Sequence, residues 1–437
     1  MDTPIRHPLH HARLERGWSQ TDLAREIARV ARARGLRSGT DKNRISLWER
    51  TTVPSDESQA LLAEVFDVPA DVVHTLGWPH WLPHRSTPIL LGARSAVPAL
   101  REALKLSMDR RTFTYGGAAL AAFAQQWATH DPTDPITGTT GQHVDAELLD
   151  WLEATSARLT TLATEQRQHT ARLLDAHLET VTTLIAQARY APPIGHRLHV
   201  LAASLAQTIG WHRFDQGAHR AAATYWHAGL HSAHASGDHD LGAGILSDLA
   251  YQATWTNEAR TAIDILDHAV TRATHPTAKS LLHLRKARAH AALGEAASCR
   301  RALAVSEQEL DAAASADPSP SWCSWMSEAD LAVDSGRCLL DLGQPAGAHR
   351  LIGEGLALLP RPRDKTRGVF LSYESETFLS TGDIDQAAHA ATQALTLANR
   401  IGAPRCTELV RNLAPQFAPH HKVAGVPELL ELVRFRR

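Results

Sequence analysis

The sequence predicts an all-α protein: an N-terminal bundle of five short helices, followed by an α-solenoid of paired helices. Three observations carry that expectation. Aromatic residues make up 5% of the chain against 43% hydrophobic residues overall, with alanine the commonest apolar type. Such small side chains favour closely packed helices over sheets of β-branched and aromatic residues. Apolar positions recur at spacings of three and four both before residue 80 and after Asp145, which is the period of a helix face. Finally, glycines recur through the second half at intervals near forty, the mark of a helical array. A length of 437 residues accommodates two or three domains. We divide it at 1–80 for the bundle, 81–144 for a Pro-rich linker with a connecting helix, and 145–437 for the repeats.

Within residues 8–76 five helical segments are expected. Ser19 caps the second, whose Leu23, Ala24, Ile27, Val30 and Ala31 share one face until Gly35 ends it. Asp41 is placed to cap a short third helix with Ile45 and Trp48 turned inward. Pro54 and Ser55 open a fourth helix carrying Leu61, Leu62, Val65 and Phe66; Pro69 opens a fifth with Val72, Val73 and Leu76. From Gly77 to Pro98 the prolines Pro79, Pro83, Pro88 and Pro98 break regular structure. One connecting helix is expected over Ala99–Trp127, then a turn-rich break from Asp131 to Gly141.

The later helices repeat. Gly217, Gly294, Gly343 and Gly382 each fall between two helical patterns. A small residue follows five positions later (Ala222, Cys299, Ala348, Ala387) and another twelve later (Gly229, Ser306, Gly355, Ala394). The glycines lie 77, 49 and 39 residues apart, and a degenerate unit around Thr256, with Thr261 and His268, splits the first interval. Small residues at these places let paired helices approach closely. The stretch Thr381-Gly382-Asp383-Ile384-Asp385-Gln386-Ala387, closing on Gln393-Ala394-Leu395, resembles a tetratricopeptide repeat at its inter-helix turn and second helix. The tetratricopeptide-like region spans roughly Gly195 to Arg411.

Charge is distributed unevenly. The net charge is −2, yet residues 1–50 hold eleven Lys/Arg against six Asp/Glu, leaving −7 for the remainder. One end is built to approach a negative surface. Two blocks there, Gly17-Trp18-Ser19-Gln20-Thr21-Asp22-Leu23-Ala24 and Asn43-Arg44-Ile45-Ser46-Leu47-Trp48-Glu49-Arg50, resemble the lambda-repressor-like helix-turn-helix family of transcriptional regulators. The resemblance implies a scaffold helix in the first block and a recognition helix in the second, with outward residues entering the major groove. It implies that Gln20 binds a phosphate and braces the recognition helix. Lys42, Asn43, Arg44 and Ser46 would then face bases or backbone, and Arg50 would hold a phosphate. The residue chemistry is compatible, since arginine bonds guanine bidentately and asparagine bonds adenine. The sequence departs from the family in two ways. The segment Arg25–Thr40 is about ten residues longer than usual and carries Arg32, Arg34 and Arg37 as a candidate phosphate arm. Thr51 also stands where the family has glycine.

Other signals point elsewhere. Trp211, Phe214, Tyr225, Trp226, Tyr251 and Trp255 concentrate six of the 24 aromatics in 45 residues. Such residues are usually core, but in a solenoid Trp211, Phe214, Tyr251 and Trp255 are candidates to line a groove for a signalling peptide or small-molecule ligand. Trp322 and Trp325, after the Asp317-Pro318-Ser319-Pro320 loop, form a second candidate wall. His227, His231 and His234 share a helix face, but no carboxylate stands at a metalloprotease spacing, so neither metal nor cofactor is expected. Cys299, Cys323, Cys338 and Cys406 show no paired spacing, which suits a reducing cytoplasm. Asp109-Arg110-Arg111-Thr112-Phe113 imitates a twin-arginine export motif far from the N-terminus, and a linker helix is the simpler reading. No run of 18 apolar residues suggests a membrane span.

No phosphate-cradling loop or nucleophile constellation stands at motif spacing, so no enzyme is expected. The architecture resembles that of actinobacterial regulators with arginine-rich helix-turn-helix domains, and the resemblance implies a sequence-specific transcriptional regulator, cytoplasmic, binding double-stranded DNA as a homodimer, with repeats that sense a ligand or mediate dimerisation. The alternative is a protein-interaction scaffold with a vestigial helix-turn-helix domain.

Overall fold

The fold is all-α. The computed structural model describes residues 7–434 apart from 51, 67, 69–72, 74–77, 80, 83–90, 93, 107–116, 133–135 and 161–163. Among these, twenty α-helices are joined by short connections, and the extended structure amounts to Gly138–Thr139 paired antiparallel with Arg189–Tyr190. The chain forms two compact units, one from Met1–Leu90 with Phe113–Gln126 and one from Leu91–Thr112 with Trp127–Arg437.

The first unit contains α1 (Pro8–Glu15), α2 (Gln20–Ala33), α3 (Lys42–Trp48) and α4 (Asp56–Val65). Their apolar faces meet in one core of Leu9, Leu23, Ile27, Val30, Ile45, Trp48, Leu61, Leu62 and Phe66, joined by Trp81 and Leu82. Ser19 and Asp22 form a reciprocal capping box at the start of α2, and the Asp41 carboxylate accepts the Arg44 backbone N–H at 2.9 Å to cap α3. Each bond satisfies a donor that a helix start otherwise leaves unpaired. Gly35 adopts φ +72 after α2, a left-handed turn that favours glycine. The expected fifth helix around Pro69–Leu76 lies largely outside the described residues, as do Thr51 and Arg110-Arg111.

Of the connecting helix expected over Ala99–Trp127, the stretch 107–116 lies outside the described residues. α5 spans Ala96–Leu106 and α6 spans Gly117–Thr129. α5 belongs to the second unit, and most of α6 to the first.

In the second unit, α7 (Ala146–Thr160) and α8 (Thr164–Gln187) precede five helix pairs. The pairs are α9 (Pro192–Asp215) with α10 (His219–Ser236), α11 (His239–Trp255) with α12 (Ala259–Val270), α13 (Pro276–Ala292) with α14 (Ala296–Ala313), α15 (Glu328–Asp341) with α16 (Pro345–Leu358), and α17 (Asp364–Thr381) with α18 (Ile384–Ile401). Then come α19 (Pro404–Phe417) and α20 (Val426–Arg434). Gly217, Gly294, Gly343 and Gly382 each turn between the members of a pair at positive φ. In the degenerate unit that place falls to Asn257 at φ 65, one residue beyond Thr256; asparagine is among the few other residues that tolerate it. The small residues do what their spacing predicts. A methyl added at Gly355 would sit 2.4 Å from Val333 and 2.7 Å from the Ala329 carbonyl, so α15 and α16 touch nearly backbone to backbone. Helices pack chiefly on their sequence neighbours, as in a solenoid.

The array also curls back on itself. Asp215 at the end of α9 forms an ion pair with Lys365 in α17 and lies 3.4 Å from Arg405 in α19. Arg405 further donates to the Tyr251 hydroxyl at 3.2 Å. Residues 150 or more positions apart thus close one face of the repeats.

Candidate nucleic-acid interface and ligand groove

In the first unit, α3 is half core and half solvent. Ile45 and Trp48 are buried, while Lys42, Asn43, Arg44 and Arg50 are exposed and Ser46 is half-buried. Lys42, Arg44 and Arg50 form no ion pair with any described residue, whereas Asn43 reaches only its own cap, Asp41, at 3.5 Å. Leu47 stands on the same open face at 52% exposure. The contact list drawn from the sequence omitted it because a leucine inside an amphipathic block reads as core.

The C-terminal end of α3 is clamped from behind. Glu49 accepts from Arg13 Nε at 2.5 Å and from Gln20 Nε2 at 2.8 Å, and its side chain is 7% exposed. Burial would raise its carboxyl, yet the bonds from Arg13 and Gln20 outweigh that and hold it below the ordinary value. Gln20 therefore braces α3 through Glu49, and its Nε2 points at protein. The clamp itself was missed, because Arg13 lies outside both matching blocks.

The arginines after α2 divide. The extended segment Arg25–Thr40 is divided between the last nine residues of α2 and the stretch 34–40. Arg34 is paired with Glu64, and Arg32 donates Nε back to the Ala28 carbonyl at 3.2 Å. Arg37 is exposed.

In the second unit, the first helices of successive pairs line a groove of about 470 Å³. α9 supplies Gln207 and Trp211, α11 supplies Tyr251, α13 supplies Arg285, α15 supplies Asp330 and Asp334, and α17 supplies Phe370 and Tyr373. Trp322 and Trp325 join them from the connection between α14 and α15, the same insertion that stretches one repeat interval to 49 residues. Two aromatic walls that looked separate in the sequence thus border a single cavity. Trp322 seats on bare backbone, since a methyl on Gly244 would meet its ring at 2.7 Å.

Of the four aromatics expected at a groove, Trp211 and Tyr251 line it, while Phe214 is buried behind them. Trp255 stacks on Phe214 and Tyr251 without reaching the cavity lining. Phe214 and Trp255 were misassigned because the four rings make one cluster around the Arg405 guanidinium, which lies 5.6 to 6.0 Å from each centroid. Tyr225 and Trp226 are core.

Ionisable groups around the groove are strongly perturbed. Burial pushes the Asp248 carboxyl up to about 7, against the opposing pull of Arg285 and a 2.8 Å bond from Gln207. Asp215 goes the other way: burial would raise it, but Lys365 and Arg405 hold it below the usual carboxylate value. Neither carboxylate was singled out from sequence, since nothing local distinguishes them. His227 and His234 are desolvated, to about 3 and about 4, and His231 shares a 2.6 Å hydrogen bond with Ser95. These histidines are packed between helices, and no group of three or more potential metal ligands occurs among the described residues.

A family model described as the SP15 N-terminal domain matches residues 9–74, which is the part of the first unit that carries α1 to α4. No curated protein matches the chain. No helix among the described residues is long and apolar enough to cross a membrane.

Proposed function

We propose that this protein is a sequence-specific DNA-binding transcriptional regulator, acting in the cytoplasm as a homodimer, whose repeats sense a peptide or small ligand. The observation that carries the reading is the open face of α3. Lys42 and Arg44 stand there, with Arg50 just past the end of the helix, without carboxylate partners among the described residues, beside Asn43 and Leu47, on a helix whose other face is core. A solvated helix face usually pairs its charges along its own length, as α2 does with Arg25–Asp22 and Arg29–Glu26. α3 does not, and its donors suit phosphates and purine edges. The resemblance to lambda-repressor-like regulators supports the same assignment. One such helix reads few base pairs, so a homodimer on two half-sites is expected. A groove lined by tryptophan and tyrosine with perturbed carboxylates is where a signal would bind.

A mobility-shift assay on genomic fragments tests the reading. Wild type should select specific fragments over competitor DNA at moderate salt, and Arg44→Ala and Asn43→Ala should relax that selection. Binding no tighter than to competitor would end the regulator proposal.

A further inference from the structure

The groove of the second unit contains a cation, Arg285, that forms no ion pair with any described residue. The other cations bordering it face carboxylates. Arg363 donates to both oxygens of Asp330 at 2.7 and 2.8 Å, and Lys365 and Arg405 flank Asp215. Asp334 pairs with Arg288 at 2.7 Å and Asp364 with Arg400 at 2.6 Å. Arg285 is 7% exposed and lines the cavity. Its Nε is enclosed without an acceptor, and no described residue forms an ion pair with it. The nearby buried acid, Asp248, feels its charge but makes no ion pair with it, and burial raises that carboxyl to about 7.

Stacking does not account for this arrangement. The Arg285 guanidinium lies 3.9 Å from the Tyr251 ring centroid and 5.9 Å from that of Trp211. A cation–π contact recovers only part of what a charge loses when it is buried without a partner. The imbalance is removed when an anion enters. A second donor faces the same need, because Trp322 Nε1 is also enclosed without an acceptor on the cavity lining.

We propose that Arg285 anchors a carboxylate subsite, and that the groove takes a monocarboxylate bearing a flat apolar group, which lies against Trp211, Tyr251 and Trp322. The planar fork of arginine suits a carboxylate bidentately, and about 470 Å³ falls in the small-ligand range. A free aromatic acid and the C-terminus of a peptide with an apolar last residue present this same chemistry. The proposal deepens the ligand-sensing half of the regulator reading and rests on it only for the regulatory consequence.

Calorimetric titration of the full-length protein is the test. The probes are 3-phenylpropionate, its amide, a pentapeptide of four alanines ending in phenylalanine with free or amidated C-terminus, and inorganic phosphate. At least one acid should bind, with its amide about tenfold weaker or worse; whichever acid binds identifies the source. Arg285→Met should abolish that difference, and Arg285→Lys, which keeps the charge but not the fork, should fall between, with wild-type circular dichroism verifying both folds. Equal binding of acid and amide, undiminished binding by Arg285→Met, tighter binding of phosphate, or no acid binding at all would each overturn the proposal. The mobility-shift assay on the same preparation separates the two ideas. Acid binding without DNA binding removes the regulator reading alone, and DNA binding without acid binding removes the subsite alone.

Discussion

Both units are rich in arginine, but they use it oppositely. In the first, α3 turns Lys42, Arg44 and Arg50 into water while Arg13 is drawn inward onto Glu49. In the second, Arg285, Arg363 and Arg405 point into a groove among aromatic rings. Exposed cations interact weakly with any single partner but strongly with a line of phosphates, because released counterions add over many contacts. Enclosed cations do the reverse: each is costly alone and selective for one matching anion. The difference teaches that position, rather than arginine content, assigns each unit its kind of partner.

The contrast can be broken first at Glu49. Glu49→Gln should destabilise the first unit by about 3 kcal/mol at pH 7, because it leaves Arg13, 8% exposed, without its counter-charge. The folded carboxyl is held below its ordinary 4.5, so this stability is present above that value and lost as pH falls through the lower folded one. Denaturant melts should therefore find the deficit shrinking as pH drops below about 4.5. A deficit independent of pH would mean that the ion pair does not act as described.

Next is Asp248, where the sign reverses. Its folded pKa is raised from 3.8 to about 7, so wild type loses stability as pH rises from near 4 to near 7. Asp248→Asn should match wild type at pH 4 and exceed it by up to about 4 kcal/mol at pH 8, since each tenfold change in proton affinity is worth about 1.4 kcal/mol. Thermal unfolding at the two pH values decides it.

A smaller effect is expected at the open face of α3. Arg44→Ala should weaken binding to a selected operator by about 1–3 kcal/mol, while affinity for competitor DNA falls much less. A uniform loss across sequences would reassign Arg44 to phosphate. Smallest is Leu47→Ala, expected to cost under about 1 kcal/mol in operator affinity by removing contact with a thymine methyl. Unlike core leucines, it should leave the melting temperature unchanged, since the side chain is 52% exposed.

Much of this architecture was legible in the residues because local rules govern it. Ser19 and Asp41 cap the helices they were expected to cap, and the glycines at 217, 294, 343 and 382 turn between paired helices. Gly210 and Gly244 carried no signal of their own, though a methyl on either would strike the ring of Trp226 or Trp322. Their meaning lies in a partner residues away.

The sequence by itself determined that the chain is helical, where pairs of helices turn, and which face of α3 is apolar. Each of these follows from backbone preference and side-chain period within a few residues. Only the tertiary structure decided that Trp322 lies across one cavity from Trp211, that Asp215 meets Lys365 and Arg405, and that Arg285 lines the groove without an ion pair among the described residues. Those facts arise from the curl of the repeats. The small helix-to-helix rotations that produce it add up over two hundred residues, and no single stretch of sequence records their sum.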